Sequence, residues 1–464
     1  MAELSVETSA TIAELERILG SRHFELERLN DYYEGVHKLE QLGVAIPEEL
    51  KHFTVILEWA GVPVDAIEHR LDLTGFRMPG TATADTSLWD VWQYNNMDER
   101  AGFAHLDALA LGSSFVSVGT NERDPKMPII SVESPLEMVA KRDPRTHVVT
   151  AAARFYDAGD MGLAQRATLY LPDETRWLVR SGGKWVDELE PDRHMLGAVP
   201  VVPFVNRHRT TKRRDDVLEG RSEMHAVIPI ADSASRAITN TQLLQETLVA
   251  PARGVLGATK GDFIDADGNQ LSAWETYFGA VWALANKDAK TFQFDAADMS
   301  NIETIVNMYA RLASGVTNLP VEYFGLTTNN PPSAEGYRAG ETRLVKTAER
   351  KQTSFGNSWE SVMRLVIRFR DGAWSDDARR LESVWRDAGT PTVSQVADAT
   401  TKYFAAGLVD WETAQEDIGR SPAMIGRMKE RRDKESEAAL SFGVQRASEA
   451  VNEYPVGGGA EVSG

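Results

Sequence analysis

"LPVEYFGLTTNNPPSAEGYRAGETRLVKTAERKQTSFGNSWESVMRLVI" (residues 319–367) joins two unlike pieces of chain. Upstream of Leu319-Pro320, Ile302, Ile305, Val306, Tyr309 and Leu312 mark a short amphipathic helix ending near Gly315. Downstream, Leu344, Ala348, Phe355, Trp359, Val362, Val366 and Phe369 recur at three-, four- and seven-residue steps, one face of a long helix. Read as one helix, residues 334–370 span about 55 Å, with Gly336, Gly340 and Gly356 weakening it and a kink expected near Gly356. Between the two helices lies a polar join with two asparagines and two prolines and nothing large to bury. A catalytic lid, a plain linker and a loop pointing into a pore all fit such a join.

Working outward, residues 10–43 have helical periodicity through Ile12, Leu15, Ile18 and Leu19, then Phe24, Leu26 and Leu29, with Tyr32 and Tyr33 following. Residues 53–76 read as a helical unit broken by Gly61 and Pro63, and residues 88–112 as a third helix stopped by a glycine cap at Gly112. The pattern then alternates at 114–120, 147–158 and 166–188, predicting a small antiparallel sheet. Residues 223–249 return to helix, with Ile230, Ala234, Ile238, Leu244 and Leu248 on one face and Pro229 in the first turn or at a kink. Short strands are expected at 251–258 and, as the last strand, at 290–298; residues 391–440 read as helical.

The chain has 464 residues, 42% hydrophobic and 26% charged, the proportions of a folded globular protein. With no cysteine, disulfides, thiol nucleophiles and thiolate zinc sites are excluded. No secretory opening is recognisable, and no run of about 18 apolar residues predicts a membrane span. Fifty basic against 69 acidic residues give a net charge of −19, which disfavours a static grip on nucleic acid and fits a surface that DNA passes without sticking. An ordinary enzyme has the same charge signature.

No phosphate-binding loop, dinucleotide fingerprint, H-E-x-x-H or G-x-S-x-G is present. Asp265-Ala266-Asp267-Gly268-Asn269 starts like a calcium loop but has Gln270 where glycine is required, so it reads as a β-turn. Ser181-Gly182-Gly183-Lys184 matches S-x-x-K but sits between alternating strands and reads as a hairpin turn. His23, His37, His52 and His69 lack a partner at metal spacing and read as satisfied or solvated. Residues 334–370 hold eight basic against four acidic residues, with Arg338, Arg343, Lys346, Arg350 and Lys351 near the start. A solvated face and a surface tracking a polyanion both explain them.

Two further stretches stand beside the first: "GAVPVVPFVNR" (197–207) with "GRSE" (220–223), and "QETLVAPARGVLGA" (245–258). The order is a helical and β-rich half, a helix, a short β insert, a second helix, a polar loop, a long helix and a helical end. With these residues in this order, the chain resembles the portal proteins of tailed bacteriophages, of the type common in phages of actinobacteria, over most of residues 20–440.

The resemblance implies a mixed α+β, mainly helical subunit with the portal fold, assembled as a ring of about twelve at one capsid vertex, where DNA enters and leaves. It divides the chain into a wing (1–220), a stem helix (221–250), a clip (251–298), a second stem helix (299–316), a tunnel loop (317–333), a long kinked wing helix (334–370), a crown (371–445) and a disordered tail (446–464). It places Thr327, Thr328, Asn329, Asn330 and Arg338 at the DNA-facing loop, and Arg253, Asp262, Asp265 and Asp267 on the clip where the motor or adaptor docks. The implied partners are further copies of the chain, double-stranded DNA, the terminase large subunit, the major capsid protein, a scaffolding protein and a head-completion protein. No catalytic residue, cofactor, metal or membrane is implied. Two other readings stay open: another phage capsid or adaptor assembly protein, and an enzyme with residues 326–335 as a lid.

Overall fold

The computed structural model describes residues 3–39, 54–81, 84–159, 163–207, 218, 220–248, 253–256, 290–293, 300–326, 334–389 and 393–453. Helices α1 (Val6–Tyr33) and α2 (Val62–Glu68), strand β1 (Leu73–Arg77), and helices α3 (Thr86–Tyr94) and α4 (Met97–Leu111) come first. Eight strands follow: β2 (Ser113–Gly119), β3 (Ile129–Glu133), β4 (Met138–Arg142), β5 (Val149–Ala158), β6 (Ala164–Tyr170), β7 (Thr175–Ser181), β8 (Lys184–Asp187) and β9 (Val201–Val205). Then come α5 (Ile228–Leu248), β10 (Arg253–Leu256), β11 (Lys290–Gln293), α6 (Ser300–Thr317) and α7 (Ala334–Asp371). The chain closes with β12 (Glu382–Trp385), α8 (Val393–Ala405), α9 (Trp411–Asp417) and α10 (Pro422–Glu453).

Strands β4 to β8 form a five-stranded antiparallel meander, and β3-β2-β9 a three-stranded sheet. Alternation along the strands sorts two cores. Val139, Ala151, Ala153, Phe155, Ala167, Leu169 and Leu178 face Ile12, Leu15, Ile18 and Leu19 of α1. Their neighbours Met138, Ala140 and Ala152 point the other way, to Phe115, Val199 and Val201. The β7–β8 connection is a two-residue hairpin, with φ of 59° at Gly182 and 79° at Gly183, as a turn requiring left-handed backbone at both positions demands.

The third and largest core surrounds α7, which runs unbroken for 38 residues, about 57 Å. Its stripe from Leu344 through Val366 is buried as expected. Trp359 packs edge-on to Trp92 at 4.9 Å and donates its Nε1–H to His105 Nε2 at 2.8 Å. The helix continues through Gly356, which serves a close approach: a Cβ there would lie 2.4 Å from Ser383 Oγ.

Several expectations are corrected. Helix α1 starts at Val6, capped by Ser5, and ends at Tyr33, because Gly35 turns left-handed (φ 69°) and Val36 and His37 donate back to Asp31 O. Pro63 does not break a helix; it sits in the first turn of α2, where its missing N–H has no intrahelical partner to lose. Residues 73–77 are strand, not helix, because β12 pairs with them from about three hundred residues away. Residues 88–112 form two helices: Asn95 bonds Val91 O, Pro128 O and Ile130 N, and Asn96 turns left-handed (φ 53°). Gly112 caps the second, as read from the sequence. The last strand is β12 rather than β11.

The packing has no break at residue 370: β12 pairs with β1, and Glu416 of α9 accepts from Arg77 at 2.5 Å and from Ala84 N at 2.7 Å. Helix α10 runs to Glu453, eight residues into the span expected to be a tail; residues 454–464 lie outside the described residues. His37 is buried, not solvated: it stacks on Tyr32 at 3.9 Å, its Nε2 lies 3.7 Å from Asp232 Oδ1 with no hydrogen bond at either ring nitrogen, and burial outweighs that carboxylate and holds its pKa below the ordinary value.

Candidate functional site

Helices α5 and α6 pack side by side, with Ala231 and Ala234 of the first and Ala310 and Ala313 of the second fully buried. Pro229 occupies the first turn of α5, where it costs no helical hydrogen bond. Helix α6 is apolar on a second face as well. Ile305, Met308, Leu312 and Val316, spaced at three and four residues, are 40–50% exposed. Large aliphatic groups repeating along one exposed stripe are the signature of a contact surface.

The root of α5 is fixed to α7 by a buried polar cluster. Asn206 follows β9 and donates its Nδ2–H to Arg221 O at 2.7 Å and to Glu223 Oε1 at 3.1 Å. Arg207 donates Nε–H to the same carboxylate at 2.8 Å, and Lys351 Nζ lies 2.9 Å from it. Lys351 also donates to Asn206 Oδ1. Burial pushes the Glu223 carboxyl up, but Arg207 and Lys351 more than reverse this and leave it below its ordinary value. Gly220 passes so close to Gly112 O, 1.7 Å from a notional Cβ, that no side chain fits there.

The end of α6 is tied to the start of α7. Asn318 turns left-handed (φ 60°), and Ser314 Oγ donates to Leu319 O at 2.6 Å. A 3-10 turn, Val321–Phe324, follows; Phe324 is buried edge-on to Trp59 at 5.7 Å. The first turns of α7 expose Arg338 and Arg343, and Arg343 donates to Asn318 Oδ1 at 3.2 Å. Glu341, one turn on from Arg338 and roughly opposite Arg343, is buried and accepts from Arg70 at 2.8 Å and from Tyr323 OH at 3.0 Å.

Of the residues singled out in the sequence, Arg338 stands exposed on α7 and Arg253 opens β10, opposite Gln293. Thr327, Thr328, Asn329, Asn330, Asp262, Asp265 and Asp267 lie outside the described residues. The basic face of α7 is smaller than expected. Arg338, Arg343, Lys346 and Arg350 are exposed, but Lys351 turns inward to Glu223. Glu341 and Lys351 were legible: both fall in phase with Leu344, Ala348 and Phe355, and a charge inside an apolar stripe announces a buried partner.

Cavities of about 340 Å³, lined by Glu68, Trp89, Trp92 and Asp98, and about 460 Å³, between the start of α1 and β8, do not touch the α6–α7 junction. Among the described residues no helix is long and apolar enough to cross a membrane, and no cluster of three His, Asp or Glu could hold a metal.

The chain is similar to known proteins along most of its length. The profile of the family described as phage portal protein, SPP1 Gp6-like, matches residues 14–438. A portal protein of Mycobacterium phage D29 is 35% identical over 425 residues, covering 89% of this chain and 86% of the relative. The portal protein of Mycobacterium phage L5 is 34% identical over 424 residues, covering 89% and 85%. Among solved structures, the neck of an empty gene transfer agent particle is similar at 14% identity and a TM-score of 0.45, over 86% of this chain and 94% of that one. The family match over most of the sequence and two relatives above 30% identity lead to one assignment: this chain belongs to the phage portal protein family of the SPP1 Gp6-like type.

Proposed function

We propose that the chain is one subunit of a closed ring at a single capsid vertex, the conduit through which double-stranded DNA is packaged and ejected. The observation that carries this is the second apolar face of α6, Ile305, Met308, Leu312 and Val316, which the subunit itself leaves uncovered. In a ring the same stripe meets the next copy, and repetition closes the assembly without leaving an open edge.

On this reading α5 and α6 are the paired stem helices, and residues 251–298 the clip, with Arg253, Asp262, Asp265 and Asp267 meeting the terminase large subunit and later the head-completion protein. The wing comprises residues 1–220 with α7, and the pairing of β12 with β1 supports counting residues 371–389 with it rather than with the crown. The crown then begins near α8. The wing meets the major capsid and scaffolding proteins, first in the host cytoplasm and then in the virion. Thr327, Thr328, Asn329 and Asn330, with Arg338, face the DNA. Neutral hydroxyls and amides make weaker hydrogen bonds to phosphate than charged groups do, which suits a surface that must let go. The ring performs no catalysis; a separate motor supplies the energy.

Electron microscopy with light scattering tests the reading. Rings with a central hole and a mass of about twelve times 51.3 kDa are expected. A chain that remains monomeric even with its scaffolding and capsid partners present overturns it.

A further inference from the structure

One buried carboxylate collects hydrogen bonds from both sides of the α6–α7 junction. Glu341 Oε1 accepts from Tyr323 OH at 3.0 Å, on the turn after α6, and from Arg70 at 2.8 Å, just beyond the end of α2. Arg70 donates its other arm to Ala388 O at 2.7 Å. Its own carbonyl accepts from Gln352 at 2.9 Å, and the same amide also donates to Arg386 O at 2.9 Å. The side chains of Arg70 and Glu341 are 7% and 9% exposed. The network therefore ties four segments to one point: the turn after α6, the first turns of α7, the end of α2 and the chain after β12. Around it, Gly336, Arg338, Ala339, Gly340, Thr342 and Arg343 are all exposed.

A helix start with two glycines among its first seven residues has little backbone preference of its own to fix its direction. Glu341 supplies a buried polar anchor there, and it is buried while Arg338 and Arg343 are exposed. We propose that Glu341 is a positioning residue for DNA passage: held by Arg70 and Tyr323, it fixes where α7 begins and so where Arg338 and Arg343 present their charge. The proposal rests on the reading of this junction as DNA-facing. It assigns Glu341 no contact with DNA.

The informative variant is Tyr323→Phe, which removes one hydroxyl and leaves the Arg70–Glu341 pair intact, so the fold is not put at risk by a stranded buried charge. Full-length rings are carried into procapsids and scored for packaged DNA, and amide exchange is followed in the same rings. Tyr323→Phe should form normal rings, speed exchange over residues 334–343 by about tenfold, the worth of one hydrogen bond to a charged group, and lower packaging. Exchange over residues 355–366 should not change. In an Arg338→Gln/Arg343→Gln background, adding Tyr323→Phe should lower packaging no further, because the network acts through those arginines. A purely structural role predicts an additive loss instead, and a core variant of equal thermal stability, Val362→Ala, would then reproduce it.

Unchanged packaging by Tyr323→Phe, or an additive loss, overturns the proposal. If the arginine pair variant itself packages normally, the DNA-facing reading of this junction fails and the inference falls with it. If that variant fails to package while Tyr323→Phe packages normally, only the positioning role is lost.

Discussion

Along α7, Leu344, Ala348, Phe355, Trp359, Val362 and Val366 are all at most 2% exposed within one subunit, whereas along α6, Ile305, Met308, Leu312 and Val316 are 40–50% exposed. Both helices are amphipathic in sequence. The difference lies in what each meets. Helix α7 lies against β2, β9, β12 and α2, with Trp92 and His105 closing over Trp359, and together these cover its stripe. Helix α6 packs on α5 through small alanines, and its larger aliphatic groups point the other way. An apolar stripe thus identifies a contact surface without saying whether the partner belongs to the same chain.

Substitutions sharpen this contrast, and the largest effect on subunit stability belongs to α7. Trp359→Ala removes a fully buried indole and strands the acceptor at His105; a loss of about 3–5 kcal/mol is expected in denaturant unfolding. A loss under 1 kcal/mol would mean that the core around α7 collapses to fill the gap.

Next is acid sensitivity. Burial pushes the His105 imidazole down to about 3, while the unfolded chain takes up its proton near 6.5. The contribution is complete above about pH 6.5 and declines as pH falls toward 3, by about 2 kcal/mol at pH 5. The depressed carboxyl of Glu223 acts in the same direction, its contribution being lost as pH falls below the ordinary glutamate range. Chemical unfolding of His105→Gln across pH 5–7 should show a flatter slope than the parent; equal slopes would remove His105 as the cause.

Gly356→Ala has a smaller expected effect and an opposed local preference. Alanine favours helix by about 1 kcal/mol, but its Cβ would meet Ser383 Oγ at 2.4 Å, so a net loss of about 1–2 kcal/mol is expected in thermal unfolding. Ser383→Gly should restore it. A stabilised Gly356→Ala would show that β12 yields easily.

Leu312→Asp should change the stability of the isolated subunit least, by about 0.5 kcal/mol or less, because the side chain is half exposed. It should nevertheless abolish rings in light scattering, since a carboxylate cannot enter an apolar contact unpaired. Rings that form normally with Leu312→Asp would place the copy-to-copy contact elsewhere, for instance at the exposed Tyr403, Phe404 and Leu408 around the end of α8.

Much of the helical frame was legible because its signals are local. The α7 stripe, the Gly112 cap, Pro229 in a first turn and the glycine pair of the β7–β8 hairpin each depend on neighbours within a few residues. Strand β1 was misread because its partner β12 is remote in sequence, and a five-residue segment is too short for its period to separate strand from helix. The split between α3 and α4 was missed because Asn95 draws its partners from Pro128 and Ile130. At the candidate site, Arg338 was found as a basic residue on a helix start, but Tyr323 and Arg70 could not be linked to Glu341 without the fold.

By itself the sequence determined that this chain carries a long helix entered through a polar join, a β-rich first half and two shorter helices flanking a β insert. Backbone conformation and hydrophobic period act over a few residues, so they are written locally. Only the tertiary structure decided which partners meet the charges that fall within the α7 stripe, Glu223 for Lys351 and Arg70 for Glu341, and which apolar faces stay open, as on α6. Burial is a property of what lies opposite, and what lies opposite Glu341 comes from residues 70 and 323, which only folding brings to one carboxylate.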